Sequence, residues 1–160
     1  MIDVPAAGTS GTYALDSNAA GTVVGGYIDS NNVFHGYLRA RDGTFTTFDG
    51  PGAGSGSGSF TIAWSINPGG VIPGGYTDSN YVIHGFLRAP DGTINTFDAP
   101  GAGTGQYQGT YAFNIHPAGV TSGYTIDANY NSHGFVRDRD GTITTFQVRR
   151  APPPETLVTA

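Results

Sequence analysis

His35, His84 and His133 are the residues best suited to do chemistry in this chain, and they recur at intervals of 49 residues. Each opens a His-Gly-aromatic-aliphatic-Arg run: HGYLR, HGFLR and HGFVR. An imidazole can serve as a general base or bind a metal near neutral pH. Six residues before each one lies an Asp-x-Asn turn, giving Asp29/Asn31, Asp78/Asn80 and Asp127/Asn129. Carboxylate and amide oxygens on such turns are the ligands that Ca²⁺ takes. The same residues also favour a plain Asx turn, because they bond their own backbone. Likewise, a feature present in every unit more often holds units together than catalyses, so each His also reads as a structural hydrogen-bonding residue.

Departures from the repeat stand out as functional candidates. His116 occupies the place of Asn18 and Asn67, and with His84 and His133 it completes the candidate catalytic set. Tyr81 and Tyr130 replace Asn32 beside the Asp-x-Asn turns, and Tyr107 stands in a loop whose counterparts are small. These three tyrosines could stack on, and hydrogen-bond to, a sugar or an acyl ligand. Arg39, Arg88 and Arg137 are expected to pair with Asp42, Asp91 and Asp140 across a hairpin. Gly54-Ser55-Gly56 carries no nucleophile elbow, and no HExxH, P-loop or dinucleotide fingerprint occurs.

Elements that position these residues follow from the repeat. The 49-residue period also relates Asp42-Gly43-Thr44 to Asp91-Gly92-Thr93 and Asp140-Gly141-Thr142, and Phe48 to Phe97 and Phe146. Units 2–47, 48–96 and 97–145, with a closing strand at 146–148, form one domain over 1–148. Residues 149–160 are Pro-rich and read as an extended tail. Each unit is expected to hold four strands. The first group is Val23–Asp29, Val71–Asp78 and Val120–Asp127; the second is Val33–Ala40, Val82–Ala89 and Ser132–Asp138. An Asp-Gly hairpin, both residues of which tolerate positive φ, leads to the third, Thr44–Asp49, Thr93–Asp98 and Thr142–Val148. The fourth is Thr12–Leu15, Phe60–Ile66 and Thr110–Ile115. On the second strand, His35, Tyr37 and Arg39 face one way and Phe34, Gly36 and Leu38 the other. Trp64, in register with Leu15 and Phe113, reads as core. The unpatterned loops Pro51–Ser59 and Pro100–Gln108 read as mobile surface.

Composition agrees with an all-β chain. There are 26 Gly and 10 Pro, placed as punctuation; all seven basic residues are Arg, and Glu155 is the only Glu. A helix-rich protein would use Lys and Glu heavily. A net charge of −5 with no basic cluster argues against nucleic acid or an anionic membrane as partner. Without Cys there is no disulfide, zinc-thiolate site or Cys nucleophile. No apolar run approaches a membrane span, and no signal peptide is visible ahead of the repeat.

The Gly-Gly-Tyr strand, Asp-x-Asn turn, HGFLR strand, DGT hairpin and TFDxPGA handover resemble the HAF-type extracellular repeats of soil bacteria, across residues 2–148. The resemblance implies propeller-like blades and a secreted or extracellular protein. A propeller usually has about four to eight blades, so three imply a homodimer with six, paired through open sheet edges. The rival is a β-trefoil-like closed monomer, which also uses three four-stranded units. The size, the absence of Cys and the soil-type repeat are further similar to metagenome-derived, calcium-dependent hydrolases of N-acyl-homoserine lactones. That likeness implies Ca²⁺, a small-molecule lactone and quorum quenching, with water attack assisted by the metal. From the residues alone, a carbohydrate- or ligand-binding, lectin-like module stands beside it, one shallow pocket per unit.

Overall fold

The computed structural model describes Val4 and residues 11–147, and these are all β. Twelve strands lie in two sheets, and the described residues contain no helix. The first unit holds β1 (Thr12–Ser17), β2 (Val23–Ile28), β3 (Phe34–Arg39) and β4 (Phe45–Phe48). The second holds β5 (Thr61–Ala63), β6 (Ile72–Thr77), β7 (Ile83–Arg88) and β8 (Ile94–Phe97). The third holds β9 (Gly109–Ile115), β10 (Thr121–Ile126), β11 (Ser132–Arg137) and β12 (Ile143–Phe146). Within each unit the strands pair antiparallel in chain order. The 49-residue period therefore describes structure as well as sequence. The expected closing strand reaches Val148, which with the 149–160 tail and the start of the first unit lies outside the described residues.

The junctions between units repeat in register. Phe34 pairs with Phe60 in a parallel bridge, and Ile83 pairs with Gly109 in the same way one period later. The second of these joins units two and three into the larger sheet. Directly paired residues share a sheet face, so Val24 and Leu38 point the same way. They pack with Phe48 against Ala63, Ile66 and Ile72 of the next unit. At the following junction Phe97 joins Ala99, Ala112, Phe135 and Ile143. An edge-to-face aromatic pair marks each seam: Phe48–Phe86 at 6.0 Å and Phe97–Phe135 at 5.9 Å between centroids. The opposite face of unit one gathers Tyr27, Tyr37, Phe45 and Val4. Both faces of the HGYLR strand thus carry the residues expected of them.

Close stacking constrains the backbone at one repeated glycine. A Cβ on Gly74 would lie 2.1 Å from the Phe86 ring and 2.3 Å from the Ile62 carbonyl oxygen. On Gly25 and Gly123, one period away on either side, it would lie 1.8 Å from the carbonyl oxygens of Tyr13 and Tyr111. Only hydrogen fits there. The strand after the Gly-rich loop is shorter in unit two than expected. Pro73 occupies the place of Val24 and Ser122 and has no N–H to offer. The β5–β6 ladder therefore ends at Ala63, and only Trp64 N–H still donates, to Pro73 O.

Three expectations need correcting. Trp64 is half-buried and not core: it packs against Phe113 at 4.5 Å and Tyr111 at 6.0 Å in an aromatic row along β5 and β9. The Asp-Gly hairpins place only the glycine at positive φ, 95° at Gly43, Gly92 and Gly141. Asp42, Asp91 and Asp140 instead accept the N–H of Thr44, Thr93 and Thr142. The guanidinium groups also go elsewhere. Arg88 lies over Phe48 and Arg137 over Phe97, both 5.0 Å from the centroid and both across a seam, while Arg39 lies 5.8 Å over its own unit's Phe45.

The loops lie at the surface as expected, and they are fastened at both ends. Gly58 N–H donates to Asn32 O in unit one, and Gly54 N–H donates to Thr77 O in unit two. The next loop repeats this, with Tyr107 N–H on Tyr81 O and Gly103 N–H on Ile126 O. Ser59 and Gln108 at their ends are buried. An unpatterned sequence here carries backbone hydrogen bonds in place of side-chain packing, so these loops act as staples between units.

Candidate functional site

The β2–β3 turn brings the first chemistry together. Asp29 Oδ1 accepts the N–H groups of Asn31 and Val33, both at 2.9 Å, and Asn31 Nδ2 donates to Asp29 Oδ2 at 3.1 Å. Units two and three build the same Asx turn on Asp78 and Asp127. The first residue of β3 in the outward phase is His35, which therefore stands over this turn. Its Nδ1 meets both oxygens of Asp49, at 2.8 and 3.0 Å, and its Nε2 lies 3.7 Å from Asp29 Oδ2. Tyr27 stacks on the imidazole at 5.1 Å. Asp49 ends the β4 segment, and the next residue anchors the chain: Gly50 N–H donates to the buried Thr61 hydroxyl oxygen at 3.1 Å.

Unit two reproduces this arrangement. His84 Nδ1 lies 3.0 Å from Asp98, its Nε2 lies 3.9 Å from Asp78, and Tyr76 packs on the ring at 5.3 Å. Unit three does not. Gln147 stands where Asp49 and Asp98 stand, and Thr125 replaces the stacking tyrosine. Lacking both, His133 turns its Nε2 onto Asp127 at 2.8 Å. The ion pairs among the described residues are these His–Asp contacts, each within one unit. The three histidines are therefore three separate stations.

Carboxyl acidity follows the same contacts. Hydrogen bonds from Val33 and Asn31 hold Asp29 below the usual carboxylate range. For Asp78, burial pushes upward, but the bonds from Val82 and Asn80 outweigh it and the group is lowered. Asp127 is lowered furthest, first by the His133 hydrogen bond and then by the Asn131 N–H.

A pocket of about 300 Å³ opens over the unit-one station, lined by Asp29, Asn31, His35, Asp49 and the 50–55 loop. Its lining includes the Asp29 carboxylate, the half-exposed Asp49 carboxylate and the Asn31 amide. Two carboxylates and an amide are the all-oxygen set that a hard cation such as Ca²⁺ takes, so this donor chemistry fits it. Asp78, Asn80 and Asp98 offer the same set in unit two. In unit three, Asp127 is committed to its turn and to His133, and Asn129 has no second carboxylate beside it.

The remaining candidates fall elsewhere. His116 lies in the β9–β10 turn, at the opposite end of β10 from Asp127 and His133. Its Nδ1 accepts Ala118 N–H at 3.1 Å, as the Asn18 amide oxygen accepts Ala20 N–H. That leaves the proton of the neutral ring on Nε2. His116 thus replaces Asn as a turn acceptor and does not join the other histidines. Tyr81, Tyr107 and Tyr130 each adopt a positive φ near 60°. Tyr81 and Tyr107 meet at 5.7 Å, and the Tyr81 hydroxyl donates to Ser57 O. The Tyr130 hydroxyl donates to Gln106 O on the following loop. Sequence reasoning overlooked Asp49 and Asp98. Their signal was present: Asp recurs in TFD two units running and becomes Gln in the third.

Comparison with models of known protein families finds no match, and comparison with curated proteins finds none either. Among the described residues, no helix is long and apolar enough to cross a membrane.

Proposed function

We propose that this protein hydrolyses a lactone ring of the N-acyl-homoserine lactone class with Ca²⁺, at the Asp29–His35–Asp49 station and its unit-two counterpart. The observation that carries the reading is His35, held at Nδ1 by Asp49, with Nε2 3.7 Å from Asp29 Oδ2, in the lining of a pocket shared with Asp29 and Asn31. In this reading Asp49 keeps the Nδ1 proton in place, which leaves Nε2 free to accept one. Water attacks the lactone carbonyl as His35 Nε2 takes its proton. Asp49 stabilises the imidazolium that forms. The ring C–O bond then breaks, and His35 returns the proton to the departing alkoxide, giving the open hydroxy acid. Asp29, Asn31 and Asp49 would hold calcium, which when bound supplies polarisation of the carbonyl. The serial antiparallel pairing within each unit and the face-to-face stacking between units support propeller blades over a trefoil.

Lactone opening followed by chromatography tests the proposal: chelator abolishes it and added calcium restores it. His35→Gln together with His84→Gln lowers kcat by about 10²–10⁴-fold, the usual contribution of a general base, whereas either substitution alone leaves the other station working. No turnover in saturating calcium overturns the reading. A lectin-like binding module is the second reading, favoured by the exposed tyrosines Tyr107 and Tyr130 beside the Asx turns. Binding on a glycan array without turnover would support it.

A further inference from the structure

We propose that the seam between units one and two binds a small carboxylate with a short apolar body, held by Arg88. The site is a pocket of about 150 Å³ between the two units. Unit one contributes Thr22 and Leu38 to its lining, and unit two contributes Ile66, Ile72, Pro90 and Arg88. Arg88 is only 7 % exposed, so its guanidinium is a buried charge. Its pairing is incomplete. The guanidinium lies 5.0 Å over the Phe48 ring of unit one, and Nη1 donates to Ala89 O at 3.3 Å. Nε finds no acceptor among the described residues, and no described carboxylate forms an ion pair with Arg88. Burial lowers the Arg88 pKa, and the charge of Asp91, an exposed residue whose carboxylate accepts Thr93 N–H, offsets this only in part. A buried charge with an unused donor is costly, and an anion accepting from Nε would offset that cost.

Comparison between units explains why the pocket holds a single charge. Arg41 and Arg139 stand in the place of Pro90 in units one and three, and their stems lie over a turn glycine. A Cβ on Gly21 or on Gly119 would sit 3.3 Å from the Cγ of that arginine. Pro90 covers Gly70 in the same way, with its Cγ at 3.4 Å, but it ends there and brings no guanidinium. Arg88 is thus the one charged residue in the lining, and its other side chains are mostly apolar. A hydrated inorganic anion gains little from such walls. A carboxylate carried on about three or four carbons uses both the cation and the apolar surface. An apolar cavity of roughly 150 Å³ holds a benzene-sized guest, so a butyrate-sized one fits. The site is separate from the His–Asp stations. Arg88 ends β7 and His84 stands near its start, about 13 Å away at the rise of an extended strand.

Nothing in this site depends on lactone opening, and its test measures no turnover. Sodium butyrate titrated into the full chain, followed by amide NMR, is expected to shift Thr22, Leu38, Ile66 and Ile72 saturably. Butyramide, the neutral isostere, and sodium phosphate at matched ionic strength should leave those signals in place. Arg88→Met should weaken butyrate binding by at least about tenfold, the worth of a hydrogen bond to a charged group. Arg137→Met removes the equivalent guanidinium from the second seam, and it should bind butyrate as the wild-type protein does. If Arg88→Met does not fold, the comparison of butyrate with butyramide on the wild-type chain decides the matter. Shifts that do not saturate or that fall outside the first seam would overturn the proposal. So would an equal response to butyramide or phosphate, or undiminished binding by folded Arg88→Met.

Discussion

His35 and His133 share a sequence context yet reach different partners, and two neighbours explain why. Where Asp49 and Tyr27 hold one ring by hydrogen bond and stacking, Gln147 and Thr125 leave the other to swing onto Asp127. Because that bond is the largest cause of the lowered Asp127 pKa, His133→Gln should move the Asp127 titration upward, as read by carboxyl-carbon NMR. Asp16 offers a stability test. Burial pushes its pKa up, but Ser65 Oγ and the N–H groups of Ile66 and Ser17 outweigh this and hold it below 3.8. A depressed carboxyl contributes stability that is present above the unfolded pKa and lost as pH falls through the folded one. Thermal melts should therefore show a loss below about pH 4, and Asp16→Asn should flatten it. Since Asp16 joins β1 to the chain after β5, that loss also loosens the first seam.

At the scale of elements, the seams tolerate little added volume. Gly74→Ala would force its methyl into the Phe86 ring and the Ile62 carbonyl, an overpacking that costs about 1–3 kcal/mol in denaturant unfolding. The connecting loops are equally committed. Gln108 is buried, accepting Gly105 N–H at Oε1 and donating from Nε2 to Ala128 O in the unit-three turn. Gln108→Ala strands both backbone groups, so it should cost about 1–3 kcal/mol. Hydrogen exchange should quicken first at Gly105 and in the 127–131 turn. A freely mobile loop would instead make the substitution neutral.

For the molecule as a whole, one residue type at one repeat position should carry two different costs. Phe48 and Phe97 are each covered by a following unit, and Phe146 is not. Truncating Phe48 to Ala should cost about 3–5 kcal/mol, as for other packed aromatics. Phe146→Ala should fall within about 0.5 kcal/mol of neutral. Denaturant titration of both variants decides it. Comparable costs would mean that the described units do not stack as independent layers.

Sequence alone determined the three-unit, all-strand plan, because a 49-residue period, alternating strands and Asp-Gly turns are local or repeated signals that survive any arrangement of the units. It also marked the Asx turns and the two faces of the His-bearing strand, since alternation dictates them. Only the tertiary structure decided which groups meet. Asp49 reaches His35 from a different strand, Arg88 crosses to Phe48 of the unit before, and Trp64 lies in a half-open aromatic row. Each of these depends on the register and stacking of segments far apart in the chain. Periodicity constrains the face a residue occupies, but packing chooses its neighbour.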